Sequence, residues 1–337
     1  MYTSDGGGYC DCGDEEAFLQ HHVCNVHKEK VTNSESSPKD DPLQGLPLDM
    51  QVRTRRLFIE ILRYILEVTS PKRKNEDFAV GGKDKEVWPE LKHAYEFANK
   101  CLVLMNDNFH QYGEVTKVVK KSLVCNQKMA HDITEFVDKE GRAIVCVGKF
   151  EECAKIRDKI EATSRRDGRS LKCEVMPTFI VAHQNFAVRL LSWLYEILKR
   201  HSGFRAIFAN IALGKEGSNF KIQLLHFPLL KDLTLCEAIL VNDAKLWKRV
   251  RKSWFNVVIE GIMKDYEAKK ILAQNYIKHY KTIMNDFVSD DQETDISITN
   301  ISVQIFTVPT IAHNLVEFHN AFHIMADYFI CELNGLS

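Results

Sequence analysis

The chain lacks the features that would direct it into a membrane or through the secretory pathway. Its 337 residues contain no run of about eighteen apolar side chains, which a membrane-spanning helix needs. The first residues are small and acidic, where a secretory signal needs a basic segment and then an apolar one. Lysine and arginine nearly balance aspartate and glutamate, 45 against 46. We therefore expect a cytoplasmic, and also nuclear, protein with neither a nucleic-acid nor a membrane partner.

The sequence also lacks the usual motifs of covalent catalysis. The sequence contains no Ser-His-Asp arrangement, no glycine-rich phosphate loop and no pair of acids at a catalytic spacing, so no catalytic residue is predicted. The cysteines beyond Cys24 stand alone among apolar or helical neighbours, which is not the pattern of a disulfide framework. We expect these to be reduced thiols, with Cys146 and Cys153 in the core: Cys101, Cys125, Cys146, Cys153, Cys173, Cys236 and Cys331.

Basic residues are absent before Lys28, and this N-terminal segment holds the other three cysteines. Cys10, Cys12, Cys24 and His27 form the pattern Cys-x-Cys-x11-Cys-x2-His. Three thiolates and one imidazole suit a structural zinc ion. The alternative is free thiols in a disordered tail. A third possibility, a zinc enzyme with an open water position, lacks a nearby general base.

Asp11 lies between two of these cysteines and would point away from the metal, because side chains alternate along an extended segment. With Asp14 and the neighbouring glutamates it makes the field around the cysteines negative. Two hypotheses follow: Asp11 and Asp14 accept a cationic ligand, or the segment is simply an acidic zinc knuckle.

A polar linker at 28–45 is followed first by a predicted helix and then by a predicted α/β unit. The segment 49–69 has apolar residues at helical spacing, with Leu57, Ile61, Leu62 and Ile65 on one side. From residue 101 to 176 the pattern predicts a β-α-α-β-α-β unit with its helices on one face of the sheet.

The first strand of this unit ends in the loop "NDNFHQYG". Asn106, Asp107 and His110 crowd the exit of the strand, a common place for a binding loop. Asn and Asp are equally normal in a plain turn, which composition alone favours.

The last 160 residues or so are predicted to be helical. In the run from Ala244 to Val288, a stripe of apolar residues at three-to-four spacing is expected to face a core: Trp247, Val250, Trp254, Val258 and Ile262. The basic cluster "KRVRKSWF" is interpreted as a solvated helix face, and His183 as structural.

The N-terminal stretch "GGGYCDCGDEEAF…CNVH" closely resembles the second half of a UBR box. This zinc-stabilised module binds basic N-terminal residues in E3 ubiquitin ligases that recognise N-degrons. The resemblance implies that Tyr9, Asp11 and Asp14 receive the ammonium and side chain of an N-terminal Arg, Lys or His. It also implies zinc as the cofactor.

The α/β unit resembles the ClpS-type domain, with "LMNDNFHQY" as strand and recognition loop. The resemblance implies that Asn106 and Asp107 hold an α-ammonium beside a pocket for a bulky apolar first residue. His110 matches a histidine of the eukaryotic ligases, and Val137 an apolar pocket position. Asp138 stands where the bacterial adaptors have a histidine, so its role in binding is carried over only weakly.

The resemblance extends to the helical region through "VAHQNFAVRLLSWL", "DAKLWKRVRKSWF" and "SVQIFTVPTIA". The predicted fold is therefore α+β: a small zinc-bound irregular segment, a ClpS-like β-α-α-β-α-β module and a mainly α-helical region. The predicted boundaries are 1–28 for a partial UBR-type zinc finger, 29–98 for linker and helix, 99–177 for the ClpS-like domain and 178–337 for the helical region.

The first half of a UBR box and a RING domain are not found in the sequence, which suggests a fragment or an alternative start. Because Cys10 and Cys12 serve different zinc ions in the family, one Cys3His site would be a strained substitute. The predicted function is the substrate-recognition portion of an N-degron E3 ubiquitin ligase. Its partners are the N-terminal residues of substrates, with E2 and ubiquitin engaged elsewhere in the ligase. The alternative is a non-catalytic adaptor for an AAA+ unfoldase.

Overall fold

The computed structural model describes residues 11, 16–18, 41–69, 99–214, 233–289 and 296–333. The first helix, α1, spans Leu48–Thr69. Its buried face contains Phe58, Leu62 and Ile65, whereas Leu57 is 49% exposed. The predicted face was therefore wrong at Leu57. The neighbouring Phe58 is buried in its place, whereas Leu62 and Ile65 are buried as predicted and Ile61 is half-buried.

The α/β module has the predicted order of elements. Its strands and helices are β1 (Lys100–Met105), α2 (Tyr112–Leu123), α3 (Gln127–Glu140), β2 (Arg142–Gly148), α4 (Phe150–Ser164) and β3 (Cys173–Pro177). The sheet order is β2-β1-β3, with both pairings antiparallel. This confirms the predicted β-α-α-β-α-β unit and places β1, which leads into the candidate loop, at the centre of the sheet.

Side-chain alternation along β1 divides the module into two cores. Leu102 and Leu104 pack with the buried apolar residues of α2, α3 and α4 on one face. Cys101 and Val103 face the other side, together with Ile180 of the following helix. The module's own three helices thus cover one face, as predicted, and the helical region contributes to covering the other.

The helical region consists of α5 (Thr178–Arg200), α6 (Ser202–Leu213), α7 (Leu235–Asn242), α8 (Lys248–Gly261), α9 (Tyr266–Lys278), α10 (Tyr280–Ser289), α11 (Ile301–Phe306), α12 (Pro309–Phe318) and α13 (Ala321–Leu333). Helix α1 shares its core. The predicted stripe is buried at Val250, Trp254, Val258 and Ile262, and Trp247 packs against it. No helix in the described part of the chain is long and apolar enough to cross a bilayer.

The prediction of a solvated face at the start of α8 was wrong for Arg251, although Arg249 and Lys252 are exposed. The guanidinium of Arg251 is 1% exposed and lies 2.7 Å from the carboxylate of Asp243. Lys248 Nζ donates to the carbonyl oxygen of Asp138 at 2.8 Å, and Arg249 pairs with Glu140 at 2.9 Å. The cluster therefore joins α8 to α3 of the α/β module.

The seven cysteines beyond Cys24 are free thiols, as expected. Cys153 is fully buried, and burial raises its pKa to about 11. Cys146, predicted to be equally buried, is only half-buried, while Cys173 and Cys236 lie in cores. His183 has the predicted structural role, because its Nδ1 atom lies 2.7 Å from the Tyr64 hydroxyl of α1.

Candidate functional site

The loop after β1 is organised around Asp107. Its Oδ1 atom accepts a hydrogen bond from the backbone N–H of His110 at 3.0 Å. Its Oδ2 atom lies 2.7 Å from Nδ1 of the same histidine. This is a side-chain-stabilised turn of the kind that Asp favours. The loop is thus a turn in which the carboxylate is held in one orientation.

His110 connects this loop to the end of α4. Its ring is 3% exposed, and its Nε2 atom lies 2.9 Å from the carbonyl oxygen of Ser164. Each ring nitrogen of His110 therefore faces an oxygen that accepts hydrogen bonds, one from a carboxylate and one from a carbonyl. The Asp107 side chain is 13% exposed. His110 therefore positions a carboxylate that keeps a small exposed fraction.

An acidic surface on α3 borders the loop through Tyr112. The Tyr112 hydroxyl is hydrogen-bonded to His131 of α3. Its pKa is raised by desolvation first and then by the negative charges of Glu135, Asp138 and Asp132. These three carboxylates are exposed and follow each other at helical spacing. These carboxylates therefore place negative charge on the α3 side of Tyr112, whereas Arg166 and Arg169 lie over Phe109 of the loop.

The other predicted residues of this site lie at different depths. The backbone N–H of Asn106 donates to the carbonyl of Gly141, which brings the loop next to the end of α3. Val137 is 3% exposed and belongs to the core of the module. The side chain of Asp138 faces solvent. The structure thus brings Asp107 and His110 into contact, places Asn106 beside them and puts Val137 beneath the surface.

The predicted zinc ligands Cys10, Cys12, Cys24 and His27 lie outside the described residues, as do Tyr9 and Asp14. No group of histidine, cysteine and acidic side chains in the described ranges could hold a metal ion.

Asp11 is the described member of the predicted basic-residue pocket, and a lysine of this chain contacts it. Lys269 Nζ of α9 lies 3.0 Å and 2.8 Å from its two carboxylate oxygens. The Lys269 side chain is 1% exposed and that of Asp11 is 16% exposed. The carboxylate predicted to receive a cationic ligand thus already pairs with a buried intramolecular cation.

The short segment that follows Asp11 is docked on the helical region. Ala17 is 1% exposed and joins the main helical core. The hydroxyl of Thr310, at the start of α12, donates to the carbonyl of Glu16 at 2.7 Å. Tyr266 donates in turn to Thr310 Oγ1 at 2.9 Å. These contacts fix residues 16–18 against α9 and α12.

Three residues that matter here were missed by the sequence reasoning: Ser164, Tyr112 and Lys269. Ser164 contacts His110, 54 positions earlier in the chain, and Lys269 contacts Asp11, 258 positions earlier. No local pattern indicates contacts over such distances in sequence. Tyr112 follows the loop directly, so an aromatic residue at the first helical position could have been noticed.

Two family profiles match different parts of the chain. The profile described as "ATP-dependent Clp protease adaptor protein ClpS" matches residues 96–174, which contain the three-stranded sheet and the Asp107 loop. The profile described as "UBR1/2/3-like ARM repeat domain" matches residues 216–332 of the helical region.

Curated relatives resemble almost the whole chain. It is 32% identical over 335 residues to the E3 ubiquitin-protein ligase UBR2 of Homo sapiens, covering 99% of this chain and 18% of that protein. Identity is 32% with human E3 ubiquitin-protein ligase UBR1, over 97% of this chain and 17% of the relative. The chain is 33% identical to E3 ubiquitin-protein ligase UBR1 of Drosophila melanogaster, over 98% of this chain and 18% of that relative. The chain spans less than a fifth of these relatives, and along nearly its full length it is similar to one stretch of UBR-family E3 ubiquitin ligases.

Proposed function

We propose that this chain is the substrate-recognition portion of an N-degron E3 ubiquitin-protein ligase, which binds destabilising N-terminal residues for ubiquitin-dependent degradation. The observation that carries the proposal is the Asp107 carboxylate, held by His110 at the exit of β1 with its side chain 13% exposed. The similarity to UBR ligases on both sides of this loop supports it.

An N-terminal α-ammonium has three N–H donors and a full positive charge. In the proposed complex it donates to Asp107 and to the side-chain oxygen of Asn106. The carboxylates of Glu135 and Asp138 favour its approach without contacting it directly. An acetylated N-terminus lacks the charge and two of the donors, so the site would discriminate free from blocked N-termini.

The side chain of the first residue would enter the module beside the loop. We propose that Val137 lies at the floor of this pocket, since it is buried in the core of α2, α3 and α4. Large apolar side chains would gain most from such a surface, which predicts Phe, Leu, Trp, Tyr and Ile as preferred first residues. Tyr9, Asp11 and Asp14 are proposed to belong to a separate site for basic first residues.

Titration with labelled peptides tests this function. We expect a Phe-start peptide to bind more tightly than its acetylated form and more tightly than an Arg-start peptide. Arg-start peptides are expected to bind poorly because Lys269 already pairs with Asp11. The measurement is fluorescence anisotropy with peptides that differ only at the first residue. Equal, weak binding of all three would contradict the proposal.

Zinc bound by Cys10, Cys12, Cys24 and His27 is the proposed cofactor, on the basis of donor chemistry. We expect purified protein to contain zinc, and a Cys24→Ser variant to contain less. Atomic absorption on both proteins, with Cys331→Ser as the control, measures this. Equal zinc in the Cys24 and Cys331 variants would contradict the assignment.

Ubiquitin transfer is proposed to require an E2 enzyme bound elsewhere in a longer ligase, with this portion supplying the substrate. The alternative is an adaptor for an AAA+ unfoldase, which the ClpS match alone would allow. The match of residues 216–332 to a UBR-type helical domain favours the ligase. Co-purification of an unfoldase instead of ubiquitin or an E2 would favour the adaptor.

A further inference from the structure

A cavity lies between the ClpS-like module and the helical region. Its volume is about 540 Å³, and residues of β1, α3, β2, α5 and α8 line it. It includes neither Asp107 nor His110. The proposed function therefore leaves this cavity without a role.

Arg142, the first residue of β2, lines this cavity and is 8% exposed. Its Nη1 atom donates to Gln184 Oε1 at 2.8 Å, and its guanidinium lies 3.5 Å from the ring centroid of Trp247. Its Nη2 atom is buried and has no hydrogen-bond partner among the described residues. No carboxylate of the described chain forms an ion pair with it.

This arrangement is unusual for a buried cation. Arginine is rarely buried unless it is paired, and an unsatisfied buried N–H group costs free energy. Burial lowers the pKa of Arg142 to about 10, against the opposing effect of Glu174, yet the group stays charged at neutral pH. The stacking on Trp247 fixes the plane of the guanidinium. The buried Nη2 atom thus lacks an acceptor that an incoming group could supply.

Charged side chains of both signs surround the cavity. Arg189 and Arg249 line it with Arg142, against Asp132 and Glu140. Arg249 is paired with Glu140 at 2.9 Å. Glu174, which lies outside the lining, also acts on the charge of Arg142, so the acids near the cavity balance its arginines.

The walls are suited to an apolar side chain beside the anion. Met129, Phe136 and Ile144 line the cavity and are 51%, 50% and 43% exposed. Ile144 follows Arg142 along β2, which forms one edge of the three-stranded sheet. Exposed edge strands are sites at which extended peptides add to a sheet.

We propose that this cavity binds an acidic polypeptide segment, with a carboxylate on Nη2 of Arg142 and a bulky apolar side chain against Phe136 and Ile144. Arginine and carboxylate groups match in a planar, two-pronged geometry, which suits a stacked and oriented guanidinium. The ligand needs no free N-terminus, so this site does not depend on the proposed N-degron function.

The test uses N-acetylated, C-amidated peptides of alternating Phe and Asp residues, which the Asp107 loop should not bind. Matched peptides carry Asn in place of Asp, and 3-phenylpropionate represents a small carboxylate. Isothermal titration should show binding of the acidic peptide and roughly tenfold or greater weakening for the Asn peptide. We expect Arg142→Gln to weaken the acidic peptide by a similar factor, whereas Arg142→Lys retains part of the affinity.

Arg157→Gln is the matched control and should leave acidic-peptide binding unchanged, because Arg157 lies on α4 and does not line the cavity. Melting temperatures report whether each variant folds, and the comparison of Asp with Asn peptides on the unmodified protein needs no variant. Equal affinity for both peptides, no binding of the acidic peptide, or unchanged binding by folded Arg142→Gln would overturn the proposal. Binding of 3-phenylpropionate without the peptide would overturn the assignment to a polypeptide.

Discussion

Replacing Asp107 by Asn is expected to weaken binding of a Phe-start peptide by roughly ten- to a hundredfold. A hydrogen bond to a charged partner contributes about 1.5–3 kcal/mol, and the substitution removes the negative charge that would face the α-ammonium. Asn keeps an oxygen that can accept from the backbone N–H of His110, so the turn should persist. Fluorescence anisotropy with the labelled peptide measures the change.

Asp158→Asn provides the matched control, because Asp158 is an exposed acid on α4 that pairs with its neighbour Arg157. It changes the net charge equally without touching the loop. We expect its affinity for the peptide to stay within about twofold of the unmodified protein, since exposed ion pairs contribute little. A similar loss in both variants would mean that net charge, and not the Asp107 geometry, governs binding.

Asp11→Asn is expected to lower the free energy of unfolding by about 3 kcal/mol, because removing one partner of a buried ion pair is strongly destabilising. Lys269 of α9 holds its Nζ atom within 3.0 Å of both Asp11 oxygens, and the substitution removes the negative charge that it faces. The denaturation midpoint in urea measures the change, with helical circular dichroism as the probe.

The double variant Asp11→Asn with Lys269→Met separates this cause from general damage to the N-terminal segment. Met removes the buried charge and keeps most of the side-chain volume, so we expect it to recover much of the lost stability. If the single variant unfolds at the same urea concentration as the unmodified protein, the ion pair does not anchor the segment. If the double variant is less stable than the single one, charge is not the cause.

Local patterns were enough to predict the α/β module. Period-two alternation, helical spacing and the glycine after α3 are short-range signals, and Gly141 does adopt the left-handed conformation with φ 83°. The position of the Asp107 loop followed from the end of β1. Composition alone favoured a plain turn, and resemblance was needed to suggest a binding role.

The errors in the helical region arose from contacts between distant parts of the chain. "KRVRKSWF" has the composition of an exposed surface, and only the fold brings Asp243 to Arg251 and α3 to Lys248. The Asp11 contact with Lys269 is of the same kind. Arg251 and Lys269 are buried because each has a specific acidic partner. The periodicity of a single sequence does not indicate which distant residue that partner is.

The most direct test of the N-degron proposal measures the coupling between Asp107 and the peptide's α-ammonium. Free and acetylated Phe-start peptides are titrated against the unmodified protein and Asp107→Asn. If the ammonium binds at this carboxylate, acetylation should weaken binding to the unmodified protein by roughly tenfold or more and have little effect on the variant. The proposal would be contradicted if acetylation had the same effect on both proteins, or none on the unmodified one.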